Sequence, residues 1–276
     1  MLTTKNDAIL VNYSTFVVST ARNRPYLDTA PFGVDLRWYV DPTLSSSEVF
    51  LNLLQRMDSL TFGPEGMPMD KWVFYDCAEL PGFIYGFAMT VDDMTDREIE
   101  VYRVPDGYRG PVPISMFISI PMVEPGCWFG HNLASMNPTL PDRKLGFLAT
   151  LTKAMGLKCY RAEQCFGATQ WTSRATNVHC RFGPLDLLTA YTPAHSFPAT
   201  LSYHFPVDDT CLRAAMGDPE AEAQLVRPEP TLYLSADNAK GMQHLQREIE
   251  AGERFKIVGQ ASWIGDQGVH PIAKLS

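Results

Sequence analysis

The sequence predicts an α/β protein in which a central mixed sheet, largely antiparallel, is flanked by helices. Apolar runs rich in aromatic and β-branched residues alternate with stretches whose apolar residues recur at helical spacing. The chain has 276 residues, 45% of them hydrophobic, which is enough for a large core without disulfide support. Strands are expected mainly at residues 34–41, 72–90, 112–122, 127–136, 158–164, 185–192 and 199–205.

The order of elements follows from these patterns. AILVNYSTFVVST near the N-terminus predicts a strand, and SSSEVFLNLLQRMDSL predicts an amphipathic helix with Phe50, Leu53, Leu54 and Met57 on one face. KWVFYDCAELPGFIYGFAMTV indicates two strands joined by the turn LPG. PVPISMFISIPMV and CWFGHNLASM predict further strands, RKLGFLATLTKAMGL a helix and LKCYRAEQCFGATQW another strand. A short helix is expected at TSRATNVHCRFG, followed by a hairpin-like pair in PLDLLTAYTPA and ATLSYHF.

Composition divides the chain into three parts. Residues 1–33 form an N-terminal strand and loop, residues 34–206 the core, and residues 207–276 a C-terminal extension that is polar and interrupted by prolines. In the extension, DNAKGMQHLQREIEAGERF predicts a helix before one last short strand. We find no internal repeat and no low-complexity tract.

Charge and cysteine usage exclude several classes of function. A net charge of −8 and an isoelectric point near 5.2 argue against a nucleic-acid partner, because phosphate backbones require clustered Lys and Arg. The six cysteines form no C-x-x-C pair, and the first residues lack the pattern of a secretion signal, so we expect free thiols in a cytoplasmic protein. No stretch approaches about 18 consecutive apolar residues, so we expect no membrane partner. The six histidines match neither H-x-x-x-H nor H-E-x-x-H, so no metal site is predicted.

An anion site is predicted in DRKLGFLATLTKAMGLK, where Gly146 stands at the expected start of a helix. The N–H groups of a first helical turn lack intrahelical partners and carry partial positive charge, so they favour a phosphate. Glycine lets the phosphate approach the backbone closely. The alternative is that Gly146 only allows two elements to pack.

Three segments resemble the GNAT superfamily of N-acetyltransferases. RKLGFL, from Arg143 to Leu148, agrees with the first four positions of the family motif [R/Q]-x-x-G-x-[G/A], and Leu148 replaces the small sixth residue. ATNVHCRFG, from Ala175 to Gly183, is similar to the family pattern A-x-x-[LV]-Y-x-[K/R]-x-G, with His179 in the place of the tyrosine. LPGFIYGFAM resembles the family's hairpin, and the order of elements agrees over residues 34–205.

The resemblance implies an acyl-CoA-dependent N-acyltransferase that transfers an acetyl group to an amine of a small molecule or protein. Acetyl-CoA or another acyl-CoA would be the cosubstrate, with no metal. The implied cofactor-binding residues are Arg143, Lys144, Leu145, Gly146, Phe147 and Leu148.

The resemblance also implies a catalytic histidine. His179 would protonate the departing CoA thiolate in place of the family's tyrosine, and an unperturbed imidazole, with a pKa of about 6.5, donates a proton near neutral pH more readily than a phenol. The alternative is a half-buried histidine bonded to a carbonyl.

A base must remove the proton of the amine, and Glu124 in PMVEPG and Glu79 in CAELPG are candidates, although a carboxylate in such a turn is more commonly a solvated surface residue. The acceptor pocket is expected to include Trp128, His131, Asn132 and Trp171. Cys127 and His131 could instead form a nucleophile and base, but buried cysteines are usually inert.

Two other functions remain open at this point. The chain could be a catalytically silent domain that binds an acyl-CoA or a protein. It could also be a β-rich enzyme similar to acetoacetate decarboxylase, suggested by YRGPVPISMF; this enzyme needs a buried lysine of low pKa, whereas Lys144, Lys153 and Lys158 are expected on the surface. The sequence is compatible with a homodimer and does not decide the oligomeric state.

Overall fold

The computed structural model describes residues 4–79, 82–137 and 145–275. The helices are α1 Thr4–Asn12, α2 Glu48–Phe62, α3 Lys71–Glu79, α4 Asp96–Tyr102, α5 Leu148–Cys159, α6 Ala175–His179, α7 Asp209–Ala215, α8 Pro219–Gln224 and α9 Ala239–Glu250. The strands are β1 Ser14–Val18, β2 Trp38–Val40, β3 Phe83–Thr90, β4 Pro111–Pro121, β5 Cys127–Ser135, β6 Gln164–Gln170, β7 Leu185–Thr189, β8 Thr200–Pro206, β9 Leu232–Ser235, β10 Arg254–Ile257, β11 Ser262–Ile264 and β12 Gln267–Leu275.

The chain forms two compact units. The N-terminal unit contains residues 2–126 and 130–162, and the C-terminal unit contains residues 127–129 and 163–276. This division does not coincide with the predicted boundaries after residues 33 and 206, because residues 163–206 group with the C-terminal extension. As domain boundaries, the predicted positions stay predictions.

The sheet of the N-terminal unit has the strand order β2-β1-β3-β4-β5. β1 and β2 are parallel, whereas β3 is antiparallel to both β1 and β4. Helix α2 packs on one face, where the rings of Phe16 and Phe50 lie 4.9 Å apart. Helix α5 packs on the other face, where a Cβ at Gly156 would approach the Phe117 ring to 2.9 Å. Helices therefore cover both faces of a mixed sheet, and the predicted fold class is confirmed.

The C-terminal unit has an antiparallel sheet in the order β6-β8-β7-β10-β12, and both β9 and β11 pair with β12. Helix α9 buries Met242 and Leu245 against this sheet. Its Gln246 side chain accepts a hydrogen bond from the backbone N–H of Ala190, at 2.8 Å, and so fastens the helix to the end of β7.

Three predictions of secondary structure are wrong. The segment predicted as a strand from residue 72 begins with helix α3, because Phe74, Cys77 and Ala78 recur at helical spacing and are buried together. The predicted LPG hairpin is therefore a helix followed by a strand, and Leu80 and Pro81 of that turn lie outside the described residues. The apolar run AILVN belongs to helix α1 rather than to a strand.

The strand predicted at residues 158–164 is also wrong. Helix α5 continues to Cys159, and β6 begins only at Gln164. Arg161 adopts the left-handed conformation, with φ of 56°, and the N–H of Ala162 closes the helix on the carbonyl of Leu157 at 3.0 Å. Glycine is the usual sequence signal for the end of a helix, and this helix end carries none.

The predicted positions of five elements are confirmed. Helices α2, α5 and α9 and strands β4 and β5 lie where the sequence places them. All six cysteines are buried, and none of them forms a disulfide. In the described ranges, no helix is both long enough and apolar enough to cross a bilayer.

Candidate functional site

A buried carboxylate stands at the centre of the candidate site in the N-terminal unit. Asp58 lies four residues after Leu54 on the apolar stripe of helix α2, so the helix turns it towards the sheet, and its exposure is 0%. Its Oδ2 accepts a hydrogen bond from the backbone N–H of Met69 at 2.6 Å, and its Oδ1 accepts one from Asn132 Nδ2 at 3.1 Å. A polar residue at a core position is thus held by two donors.

Burial raises the pKa of Asp58 above its ordinary value, because the charged form is poorly solvated in the core. The hydrogen bonds from Met69 and Asn132 and the nearby imidazole of His131 act in the opposite direction and only partly offset the burial. The charged form of Asp58 therefore has a high free energy in the folded protein, and a positive charge that forms nearby would stabilise it.

His131 and Asn132 extend this arrangement from the buried carboxylate to the surface. Asn132 donates to Asp58 through its amide nitrogen, so its Oδ1 is the acceptor that faces His131 Nδ1 at 3.1 Å. The proton of a neutral His131 ring is then on Nδ1, which leaves Nε2 as a proton acceptor. His131 is exposed. Together, the three side chains form what we call the Asp58 relay.

The sequence predicts two members of the Asp58 relay and misses the third. His131 and Asn132 were expected to line the acceptor site, and the structure brings them together on β5. Asp58 was not singled out, although a carboxylate on the apolar stripe of SSSEVFLNLLQRMDSL was a usable signal. The predicted role of His131 and Asn132 in binding a substrate stays a prediction.

The start of helix α5 carries the predicted anion site. Asn137 donates to the carbonyl of Leu145 at 2.7 Å and accepts from its N–H at 2.9 Å, which fixes the residue before Gly146. Gly146 is exposed, and a Cβ there would meet nothing within 4 Å. Phe147 takes the left-handed conformation, with φ of 68°, immediately before the helix. The backbone at Gly146 therefore faces open space.

The predicted phosphate site at Gly146 stays a prediction. Leu148, which departs from the family motif, is fully buried, so its larger side chain enters the core and leaves the space over Gly146 open. The N–H of Leu148 already donates to the carbonyl of Leu145 at 3.3 Å, so the donors and partial positive charge at this helix end come from the next N–H groups of the first turn. Arg143 and Lys144, also predicted to bind the cofactor, lie outside the described residues.

The remaining predicted residues occupy varied surroundings. Glu124 is exposed in the turn between β4 and β5, and Glu79 at the end of α3 forms an ion pair with Arg22. Trp128 is buried in β5. Trp171 is completely buried, and its Nε1 donates to the carbonyl of Ala190 at 2.8 Å. The roles predicted for these side chains stay predictions.

His179 is the last residue of helix α6 in the C-terminal unit and is 6% exposed. Its ring lies 4.9 Å from that of Tyr203, with 32° between the two planes. The predicted position at the helix end is confirmed, whereas the catalytic role stays a prediction.

One expectation about lysines is wrong. Lys153 is fully buried rather than on the surface, and its Nζ lies 5.8 Å from the centre of the Phe117 ring. Helix α5 is buried on nearly all sides, so its sequence has no polar face by which a buried lysine could be told from an exposed one.

In the part of the chain that the structure describes, no three His, Cys, Asp or Glu side chains are grouped as a metal site.

No family model matches the sequence, and no curated protein is detectably similar to it. Three solved acetyltransferase structures are similar to part of this chain. An aminoglycoside 6′-acetyltransferase of type Ii is 8% identical, with a TM-score of 0.40 over 58% of this chain and 90% of the other. A protein described as a GNAT acetyltransferase from Desulfovibrio desulfuricans is 12% identical, with a TM-score of 0.37 over 61% of this chain and 96% of the other.

A protein described as an N-acetyltransferase from Lactobacillus plantarum is 9% identical, with a TM-score of 0.36 over 59% of this chain and 94% of the other. At such identities and TM-scores, the likeness concerns the backbone alone. It does not extend to substrate or chemistry.

Proposed function

We propose that this chain is an acyl-CoA-dependent N-acyltransferase, which transfers an acetyl group from acetyl-CoA, or the acyl group of a related CoA ester, to a primary amine. The observation that carries the proposal is the Asp58 relay, which places an exposed imidazole in front of a buried carboxylate. The open helix start at Gly146, in the same unit, adds the second requirement of the reaction, which is a place for a pyrophosphate.

The relay suits the deprotonation of an amine. An ammonium group must lose a proton before its nitrogen attacks the thioester carbonyl. His131 Nε2 accepts that proton, while Asn132 Oδ1 holds the Nδ1–H and so fixes the ring. The imidazolium that forms is stabilised by the negative charge of Asp58, which reaches it through Asn132. In this proposal His131 is the base, and Asn132 and Asp58 are positioning residues.

The acyl-CoA would be held through its phosphates. The backbone of Gly146 and the first-turn N–H groups of α5 would bind the pyrophosphate, as helix N-termini do for many anions. His179 belongs to the C-terminal unit, and its predicted role as a proton donor to the departing thiolate rests only on the ATNVHCRFG match, so the proposal does not depend on it. The acceptor is a primary amine of a small molecule or a protein, and the relay does not distinguish between the two.

The first test is binding of acetyl-CoA. A ligand at 100 times its Kd stabilises a fold by about 2.7 kcal/mol, which raises the melting temperature of a chain of this size by roughly 5–10 °C. Gly146→Glu should abolish this shift, because its carboxylate would repel the phosphates. Gly63→Glu is the matched control, since a Cβ at Gly63 also meets nothing within 4 Å.

The second test is turnover. Incubation of the protein with acetyl-CoA and a panel of primary amines should yield acetylated amine, detected by mass spectrometry, with one CoA released per product. An unmoved melting curve for the parent, or equal shifts in the Gly146→Glu and parent proteins, contradicts the binding site. CoA binding without any acetylated product from small amines or lysine peptides favours the silent binding domain instead.

A further inference from the structure

A groove opens in the C-terminal unit where two strands separate. β7 and β10 pair only from Leu185 to Leu187, opposite Ile257 to Phe255. The ladder between β7 and β8 is interrupted at the next residue, Leu188, which forms a bulge. The resulting groove has a volume of about 420 Å³, within the roughly 300–1,000 Å³ common for small-ligand sites.

One end of the groove is positive. Arg254, the first residue of β10, lines it and is exposed. Its guanidinium forms no hydrogen bond or ion pair with the residues that the structure describes. A planar guanidinium without a partner is the group that best recognises a carboxylate, since it can donate two parallel hydrogen bonds.

Three charged side chains beside the groove, Glu248, Glu253 and Lys274, have a net charge of −1. Lys274 Nζ lies 3.3 Å from a Glu253 oxygen and 3.5 Å from one of Glu248. One ammonium therefore faces two carboxylates, which leaves one negative charge uncompensated. Glu253 lines the groove and is 47% exposed, so this charge is accessible to a ligand.

The other polar groups of the groove add no net charge. Asp186 Oδ2 is paired with Lys256 Nζ at 3.2 Å. Burial lowers the pKa of His204, and Lys256 lowers it further against the opposing effect of Asp186, so the imidazole is neutral at pH 7. The groove is thus dipolar, with a positive group at Arg254 and a negative group at Glu253.

Aliphatic side chains form a further part of the wall. Leu188 is 42% exposed at the bulge, and Ile249, in the last turn of α9, is partly exposed. An apolar side chain of a ligand would be removed from water against these two residues, at about 25 cal/mol for each Å² buried.

From this arrangement we propose that the groove binds a free α-amino acid with an aliphatic side chain. Its carboxylate pairs with Arg254, its ammonium with Glu253, and its side chain packs on Leu188 and Ile249. The proposal does not rest on the acyltransferase function, because all of its residues belong to the C-terminal unit and none of them belongs to the Asp58 relay or to the site at Gly146.

Titration of the full chain with L-leucine, followed by ¹H–¹⁵N NMR, tests this site. Saturable shifts are expected at the amides of Leu188 and Arg254. Two analogues separate the charges: 4-methylpentanoate lacks the ammonium group and isopentylamine lacks the carboxylate, so each should bind at least tenfold more weakly than leucine.

Variants assign the binding to the two charged residues. Arg254→Gln and Glu253→Gln should each weaken leucine binding at least tenfold. Lys240→Gln and Glu229→Gln remove the same charges from exposed positions that do not line the groove, and they should bind leucine as the parent does.

The proposal is wrong if leucine produces no saturable shift, or if the shifts lie away from Leu188 and Arg254. It is equally wrong if 4-methylpentanoate or isopentylamine binds as tightly as leucine, because one charge would then suffice. Equal losses in the matched controls would also overturn it. Melting curves of all four variants verify that each one is folded.

Discussion

The two units each place an aspartate near a histidine, and the two arrangements differ in ways that matter for chemistry. In the Asp58 relay, the carboxylate is buried, it accepts hydrogen bonds from a backbone N–H and a side-chain amide, and the imidazole of His131 is exposed. In the C-terminal unit, Asp186 is half-exposed and carries a lysine at 3.2 Å. The imidazole of His204 there lies 3.8 Å from the carboxylate.

The ring nitrogens show the difference most clearly. His204 Nε2 lies 2.6 Å from Gln164 Oε1, so this nitrogen carries the proton and donates a hydrogen bond to the amide oxygen. The centre of the imidazole ring lies 4.6 Å from that of the Phe166 ring. His131 uses only Nδ1 within the described structure, and its Nε2 remains open to a substrate. An aspartate near a histidine is therefore not sufficient for proton transfer. The ring also needs an open nitrogen, and the carboxylate must lack a cation of its own.

The largest effect outside the relay is expected at His179. A positioned proton donor contributes about 10²–10⁴-fold to a rate, so His179→Ala should lower kcat within that range while acetyl-CoA affinity changes little. His179→Phe keeps the ring packing against Tyr203 but cannot donate a proton, so it should lose as much activity as His179→Ala. His179→Tyr should recover part of the activity.

If His179→Phe retains the parental kcat, the histidine is a packing residue.

A smaller loss is expected from Asp58→Asn. A hydrogen bond to a charged group is worth about 1.5–3 kcal/mol, so removing the charge behind Asn132 should lower kcat by about 10–100-fold. The KM for the amine should change less, because Asp58 is buried and acts through its neighbours. Asp106→Asn, at an exposed position of the same unit, is the control and should have parental kinetics.

Equal kcat values for Asp58→Asn and the parent would contradict the positioning role. A loss of kcat in Asp106→Asn of the same size would show that the assay reports general damage rather than the relay. Circular dichroism of both variants establishes that they are folded.

The sequence predicts several of the elements in this comparison, but it does not predict the contacts that distinguish the two units. Helix α2 was predictable because its apolar residues recur at helical spacing, and this spacing also places Asp58 on its buried face. The contact between Asp58 and Asn132 joins residues 74 positions apart, and no local pattern encodes it. Helix α3 was predicted as a strand because its aromatic residues favour strands, and tertiary packing of Phe74 overrode that preference.

The smallest expected effect concerns stability and pH. The folded-state pKa of Asp58 is raised, so the folded state binds more protons than the unfolded state above the unfolded value of about 3.9. The contribution of Asp58 to stability is therefore present below that pH and is lost as the pH rises through the folded pKa. Asp58→Asn should become more stable relative to the parent across this window, as measured by urea unfolding at several pH values.

Asp186→Asn serves as the contrast in the same unfolding experiment. It breaks a half-exposed ion pair with Lys256, which is worth about 0–1 kcal/mol. The stability of Asp186→Asn relative to the parent should not rise with pH as steeply as that of Asp58→Asn. An equally steep rise would show that the two carboxylates do not differ in the way that their burial implies.

The most direct test of the central claim is the rate of amine acetylation by His131→Ala, compared with His244→Ala. His244 is an exposed histidine on α9, and its side chain is 66% exposed. If His131 is the base, His131→Ala should lower kcat by about 10²–10⁴-fold and His244→Ala should acetylate the amine at the parental rate. Acetylation by His131→Ala at the parental rate, with acetyl-CoA still bound, would contradict the role of the Asp58 relay in catalysis.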